Sequence, residues 1–170
     1  MLLDVAVCLP QEAETVAVIR SVVRDALRSL GAAPDCIDDV CLALSEACTN
    51  VIDHAVADDE YDVRLQVDER QCILSVKNTG DGFDALALRG VMPDPSSPRG
   101  RGVAIMRAVM DQVDLGSEPE AGVIVRLVKT LAIEPDSLLH RVRQKLDPAE
   151  PRLHCPELGG MTERPKVTAC

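Results

Sequence analysis

The hydrophobic period of this chain changes once in its first half, and that change restricts the fold more than any other feature. Up to Ala57 the apolar residues recur at three and four, and from Tyr61 they alternate. Two helices are therefore followed by a strand hairpin. Val16, Ile19, Val23, Leu27 and Leu30 stripe a helix over residues 11–30, with Glu12 and Glu14 at its positive end and Gly31 as its stop. Val40, Leu44, Ala47, Val51 and Ala55 stripe the next, which Pro34 opens with Asp35 as a candidate cap. Tyr61, Val63, Leu65 and Val67 then alternate with Asp62, Arg64 and Gln66, Asp68-Glu69-Arg70 makes a turn, and Cys72, Leu74 and Val76 alternate again. A short apolar run at residues 4–9, ended by Pro10, suits an edge strand.

After Asn78 the alternation stops in a glycine-rich turn, Thr79-Gly80-Asp81-Gly82-Phe83-Asp84. A brief helix over 85–92 and an aperiodic loop over 93–102 follow, and a loop of that kind is usually functional. Val103, Met106, Val109, Met110 and Val113 restore the helical period, before a weak strand over 113–117 and a last strand over 123–131. Hairpin strands with helices grouped apart from them predict an α/β fold, a two-layer α/β sandwich. Its sheet is expected to be mixed, mostly antiparallel, and covered on one face by helices. Residues 1–133 form the expected domain. Residues 134–170 form a tail, with one short basic helix at 136–146 and a Pro-rich, disordered remainder.

Composition removes several classes of function. The chain has no Trp, one Tyr and one Phe, which leaves nothing on which nucleic-acid bases would stack. Its net charge of −10 opposes a phosphate backbone. The expectation is no direct nucleic-acid contact and a preference for basic protein partners. The first ten residues carry an acid and no basic cluster, and no apolar run reaches membrane-spanning length, which predicts a soluble cytoplasmic protein without a membrane contact. Seven cysteines form no CxxC pair, so neither a disulfide framework nor a structural zinc site is expected. No GxxxxGK[ST] motif is present, which excludes P-loop chemistry.

Three pieces carry the candidate chemistry. Glu46 and Asn50 stand four apart on one face of the second helix, with Asp53 and His54 a turn beyond. Asn78-Thr79-Gly80-Asp81-Gly82-Phe83 directly follows a strand. Arg99-Gly100-Arg101-Gly102 opens a helix, where glycines let backbone amides approach an anion and the helix dipole and arginines add positive charge. Each piece alone is also what an exposed helix face, a hairpin bend or a hinge would show; their order along the chain is what sets them apart.

In that order the chain resembles the GHKL (Bergerat-fold) ATPase and kinase superfamily, and within it the bacterial serine-kinase anti-sigma factors. The likeness runs from about Val5 to Leu131. Glu46 to Ala55 matches the N box, whose Glu is the general base and whose Asn holds Mg²⁺; His54 belongs to the same pattern. Asn78 to Phe83, with Gly80 and Gly82, matches the box that shapes the adenine pocket. Gly100-Arg101-Gly102-Val103, with Arg99 before it, matches the glycine box that meets the phosphates. The resemblance implies ATP and Mg²⁺ as ligands, a sigma factor and an anti-sigma-factor antagonist as partners, and a homodimer. It also implies two functions to be weighed: a serine/threonine kinase acting on the antagonist, and a nucleotide-binding regulatory module without kinase activity. A detached histidine-kinase catalytic domain fits less well, since no histidine precedes residue 40.

Two positions depart from the family pattern. Asn78 stands where the family has an Asp that accepts a hydrogen bond from the adenine amino group, and Val123 where many relatives have Thr. A neutral acceptor in place of a carboxylate weakens that bond by about 1 kcal/mol.

Overall fold

The computed structural model describes residues 2–53, 60–78, 98–118 and 122–146. In chain order these form β1 (Leu3–Pro10), α1 (Ala13–Leu30), α2 (Pro34–Ile52), β2 (Glu60–Val67) and β3 (Gln71–Asn78), then α3 (Pro98–Val109), β4 (Gln112–Glu118), β5 (Gly122–Thr130) and α4 (Leu138–Leu146). The five strands make one sheet in the order β1-β2-β3-β5-β4, with the helices packed on one face as a two-layer α/β sandwich.

The period-two residues of the sequence are the inward face of this sheet. Tyr61, Val63, Leu65, Val67, Cys72, Leu74 and Val76 are all buried against Ile19, Val23 and Leu27 of α1 and Val40, Leu44, Ala47 and Val51 of α2. The register pairs Val63 with Val76 and Leu65 with Leu74, so the hairpin turn at Asp68 keeps both apolar sets on one face. Asp68 holds that turn by accepting from the backbone amides of Arg70 and Gln71, both at 2.8 Å.

With a single Tyr and a single Phe in the chain, one aromatic side chain takes a central place in this core. Tyr61 is fully buried, and its hydroxyl lies 2.8 Å from Thr15 Oγ1. The Thr15 hydroxyl donates to the Glu12 carbonyl at 2.6 Å, which makes Tyr61 the donor to Thr15. Burial pushes the Tyr61 hydroxyl up to about 12, and burial does the same to the neighbouring Cys48 thiol. Cys36, Cys41, Cys48 and Cys72 are free and buried, the packing role their short apolar side chains suit.

Four expectations change. Among the described strands the sheet is antiparallel at every pairing rather than mixed. β3 and β4 do run the same way, but β5 folds back from β4 and inserts between them, so the parallel strands never meet. Asp35 does not cap α2: Ala33 is the N-cap, Pro34 takes the first helical position, and Asp35 lies inside the first turn, where its charge meets the helix dipole. Residues 98–102 are helix rather than loop. Pro98 costs a first turn no hydrogen bond, and Gly100 and Gly102 hide that turn from a hydrophobic period. At the other end α3 stops at Val109, so Met110 follows the helix and Val113 belongs to β4. The brief helix expected at 85–92 lies outside the described residues.

From Glu134 to Leu146 the chain folds back onto the body. The Glu134 amide donates to the Gly31 carbonyl at 2.9 Å, Leu139 of α4 is fully buried in the core, and Arg143 Nε donates to the Glu69 carbonyl at 2.9 Å. Gly31 is required there twice: its φ of +87° is left-handed, and a Cβ on it would overlap Ser137. Among the described residues no helix is long and apolar enough to cross a membrane. Leu139→Ala is expected to destabilise the protein by about 2–4 kcal/mol, the usual cost of emptying a filled core position, measured by urea unfolding. A loss below about 0.5 kcal/mol would show that α4 is an appendage.

Candidate functional site

The site is built where one end of the sheet meets the far ends of α2 and the start of α3. The Ala33 amide donates to the Ala132 carbonyl at 2.7 Å, which pins the start of α2 beside the end of β5. From Ala33 to Asn50 the helix climbs about 25 Å at 1.5 Å per residue, close to the length of β5 at about 3.3 Å per residue. Glu46 and Asn50 are thereby carried to the end of the sheet where β3 finishes at Asn78 and β5 begins at Gly122. Asn78 and Val123 stand one step beyond the Lys77–Ile124 pair on their two adjacent strands, so the two departures from the family pattern share one place.

α3 supplies the other wall. A Cβ built on Gly102 would stand 3.0 Å from Glu46 Oε2, 3.3 Å from Asn50 Oδ1 and 3.4 Å from Asn50 Nδ2. The glycine box and the N box, more than fifty residues apart in the chain, are thus in direct contact. Gly102 is a glycine because of this approach, for it is buried in a helix where other residues are better helix formers. Glu46 and Asn50 are each half-buried, so their oxygens keep a path to solvent and to a ligand. A carboxylate oxygen and an amide oxygen side by side next to Gly102 are the donor types a hard cation such as Mg²⁺ takes.

The remaining sequence-picked residues divide in two. Arg101 is exposed in the first turns of α3, Val103 is buried beneath it, and the backbones of Arg99 and Gly100 lie in the same turn. Asn78 ends β3, paired across the sheet with Tyr61. His54, Gly80, Gly82 and Phe83 lie outside the described residues.

The sequence reading passed over three residues beneath the site. Lys129 Nζ donates to Asp39 Oδ2 of α2 at 2.7 Å and to the Val109 carbonyl at the end of α3 at 2.6 Å. Burial works against the charge on Lys129, and the hydrogen bond and charge of Asp39 outweigh it, holding the ammonium above its usual range. Asp111 accepts from the Thr130 amide at 2.6 Å, and that bond lowers its carboxyl. The available signal was the position of Lys129 itself, on the inward face of a strand between Leu127 and Leu131.

Comparison with known proteins agrees with this geometry. Residues 9–129 match the histidine kinase-like ATPase domain. The serine-protein kinase RsbW of Bacillus velezensis is 34% identical, over 72% of this chain and 82% of the relative. RsbW of Bacillus subtilis is 32% identical over the same shares. The chain belongs to the histidine kinase-like ATPase family, and within it to the RsbW type of serine-protein kinase. Among solved structures, the RsbU and RsbW domains of Rv1364c from Mycobacterium tuberculosis superpose with a TM-score of 0.58 at 19% identity over 76% of this chain, a likeness of fold. This chain spans 32% of that longer one.

The contact at Gly102 yields a test in which fold and site part company. A methyl group there presses on the tips of Glu46 and Asn50 rather than on backbone, and those tips are free to swing away. Gly102→Ala should leave stability within about 1 kcal/mol, since alanine is the better helix former. Its affinity for ATP with Mg²⁺, measured by calorimetry, should fall at least tenfold. Unchanged affinity would show that the approach of α3 to α2 does not shape the site.

Proposed function

We propose that this protein is an ATP-dependent serine/threonine kinase that sequesters a sigma factor and phosphorylates the antagonist protein that would release it. One observation carries the reading: the approach of Gly102 to the oxygens of Glu46 and Asn50, which brings a glycine- and arginine-rich helix start onto a candidate base and metal ligand. Membership of the family and the RsbW relatives supports the reaction class and the kind of partner.

In this reading ATP lies across the end of the sheet, with its adenine toward Asn78, Gly80, Gly82 and Phe83, and its phosphates toward α3. The residues from Arg99 to Val103 meet the phosphates: amides of the helix start and the two arginines face the negative oxygens. Asn50 would hold Mg²⁺ through its side-chain oxygen, with His54 a turn beyond. When bound, Mg²⁺ supplies positive charge against the phosphates. Glu46 accepts the proton of the substrate serine hydroxyl as its oxygen attacks the γ-phosphorus; the bond from that phosphorus to the bridging oxygen breaks, and ADP leaves. The protein works as a cytoplasmic homodimer, without contact to nucleic acid or membrane.

The second reading, a module that binds nucleotide and regulates by binding alone, is favoured by Asn78 and Val123 standing together where the adenine would lie. Two variants separate the readings. Glu46→Gln keeps the shape and loses the base, so transfer of labelled phosphate to the antagonist should disappear while ATP affinity stays within about threefold. Retained transfer would remove Glu46 as the base, and absence of transfer by the unaltered protein would favour the second reading.

Asn78→Asp restores a charged acceptor. It should tighten ATP binding by about 1 kcal/mol, a few-fold to tenfold, in the same titration. An affinity that does not rise would place the adenine elsewhere.

A further inference from the structure

α3 lies along α2 in the opposite direction, and the contacts at its two ends match in spacing. At one end Gly102 meets Glu46 and Asn50. At the other, Val109 is tied through Lys129 to Asp39. Asp39 and Glu46 are seven residues apart on α2, and Gly102 and Val109 are seven apart on α3. Seven residues span about 10.5 Å on either helix and return to nearly the same face, within about 20°. Asp39, Glu46 and Asn50 therefore line one seam, and Lys129 closes the end of it remote from the phosphates.

Lys129 is well suited to fix this register. Its side chain is 17% exposed, and its stem leaves β5 on the inward face opposite Cys72, so the rigid centre of the sheet aims it. The Val109 carbonyl it takes is one of the last of α3, where the helix dipole is negative and no intrahelical donor remains. The Asp111–Thr130 bond holds the chain leaving α3 to the same strand. Among the described residues no hydrogen bond comparable to these ties Gly102 to α2; the contact there is the packing of two side-chain tips against a residue without a Cβ. A slip of α3 by a fraction of a turn at the Val109 end is passed along a rigid helix to Gly102.

We infer that Lys129 is a positioning residue for the nucleotide site. By clamping Asp39 to the Val109 carbonyl it sets the register of α3 on α2, and so the distance of Gly102 from Glu46 and Asn50. It touches neither nucleotide nor reacting atoms. The inference rests on the nucleotide reading above, and predicts that losing the clamp weakens phosphate binding more than the accompanying loss of stability explains.

The test compares the full chain with Lys129→Met, which keeps the stem and removes the cation, and with Asp39→Asn, which keeps an acceptor and removes its charge. Leu139→Ala serves as a control for destabilisation remote from the seam. Each is checked for folding by circular dichroism, then titrated with ATP and Mg²⁺, and its amide hydrogen exchange is mapped. Lys129→Met should bind ATP at least tenfold more weakly, and Asp39→Asn two- to fivefold more weakly. Both should lose protection selectively in residues 100–109. Leu139→Ala should keep the unaltered affinity at a similar loss of thermal stability.

An affinity within twofold for folded Lys129→Met would overturn the inference, as would a loss in Leu139→Ala equal to that in Lys129→Met. If Lys129→Met does not fold, Asp39→Asn decides by the same two measurements. If the unaltered protein binds no ATP, the nucleotide reading fails by itself. The clamp is then judged by exchange alone, and unchanged protection at 100–109 overturns it.

Discussion

The close approach of two helices at a residue without a side chain is the constraint on which the rest of this structure turns. Glu46 and Asn50 acquire a common target only because Gly102 lets α3 come within about a methyl group's width of them. A helix face bearing a carboxylate and an amide is ordinary; the same face beneath a helix start rich in glycine and arginine is a candidate place for polyphosphate. Both helices gain their places from the sheet, α2 through Ala33 at the end of β5 and α3 through Lys129 of that strand and through Asp111, which follows α3 and accepts from Thr130 of the same strand. β5 is thus the common support of both walls of the site, and its position between β3 and β4 gives it partners on both edges.

That arrangement separates a tied-down end of the molecule from the end that carries the candidate site. At the tied-down end backbone hydrogen bonds join Ala33 to Ala132 and Glu134 to Gly31, the Arg143 side chain joins α4 to the Glu69 carbonyl, and Leu139 sits in the core. At the other end the strands finish, the helix dipole of α3 points outward, and Glu46 and Asn50 keep partial access to solvent. The described candidate residues, Glu46, Asn50 and those of the first turns of α3, stand on regular elements, which fixes them with the accuracy that phosphate chemistry would require.

Elements with a strong hydrophobic period were legible from the residues. The stripes of α1 and α2 and the alternation of β2 and β3 are the buried faces of those elements, because burial on one side is what writes a period into a sequence. The reading failed where other forces choose the structure. The first turn of α3 contains Pro98 and two glycines and offers no apolar face to count. The antiparallel sheet follows from β5 docking beside β3, a long-range choice that no local pattern encodes. The short helix α4 was legible, but its docking on the body through one leucine and one arginine was not. Of the site, Glu46, Asn50 and Gly102 were legible as motif pieces, but their mutual contact was not. Lys129 was missed because its role lies in its two acceptors, contributed by α2 and α3.

The buried thiols of α2 have a consequence of another kind. Cys36, Cys41 and Cys48 are spread along the helix that carries Glu46 and Asn50, and Cys72 faces it from β3. Burial pushes all four thiols up from their ordinary range and so suppresses the nucleophilic thiolate while the helix is closed. Each becomes reactive when its own stretch of α2 or β3 opens. The rates at which a thiol reagent marks them therefore read the breathing of the site helix at three depths, with the sheet as reference, using labels the chain already contains.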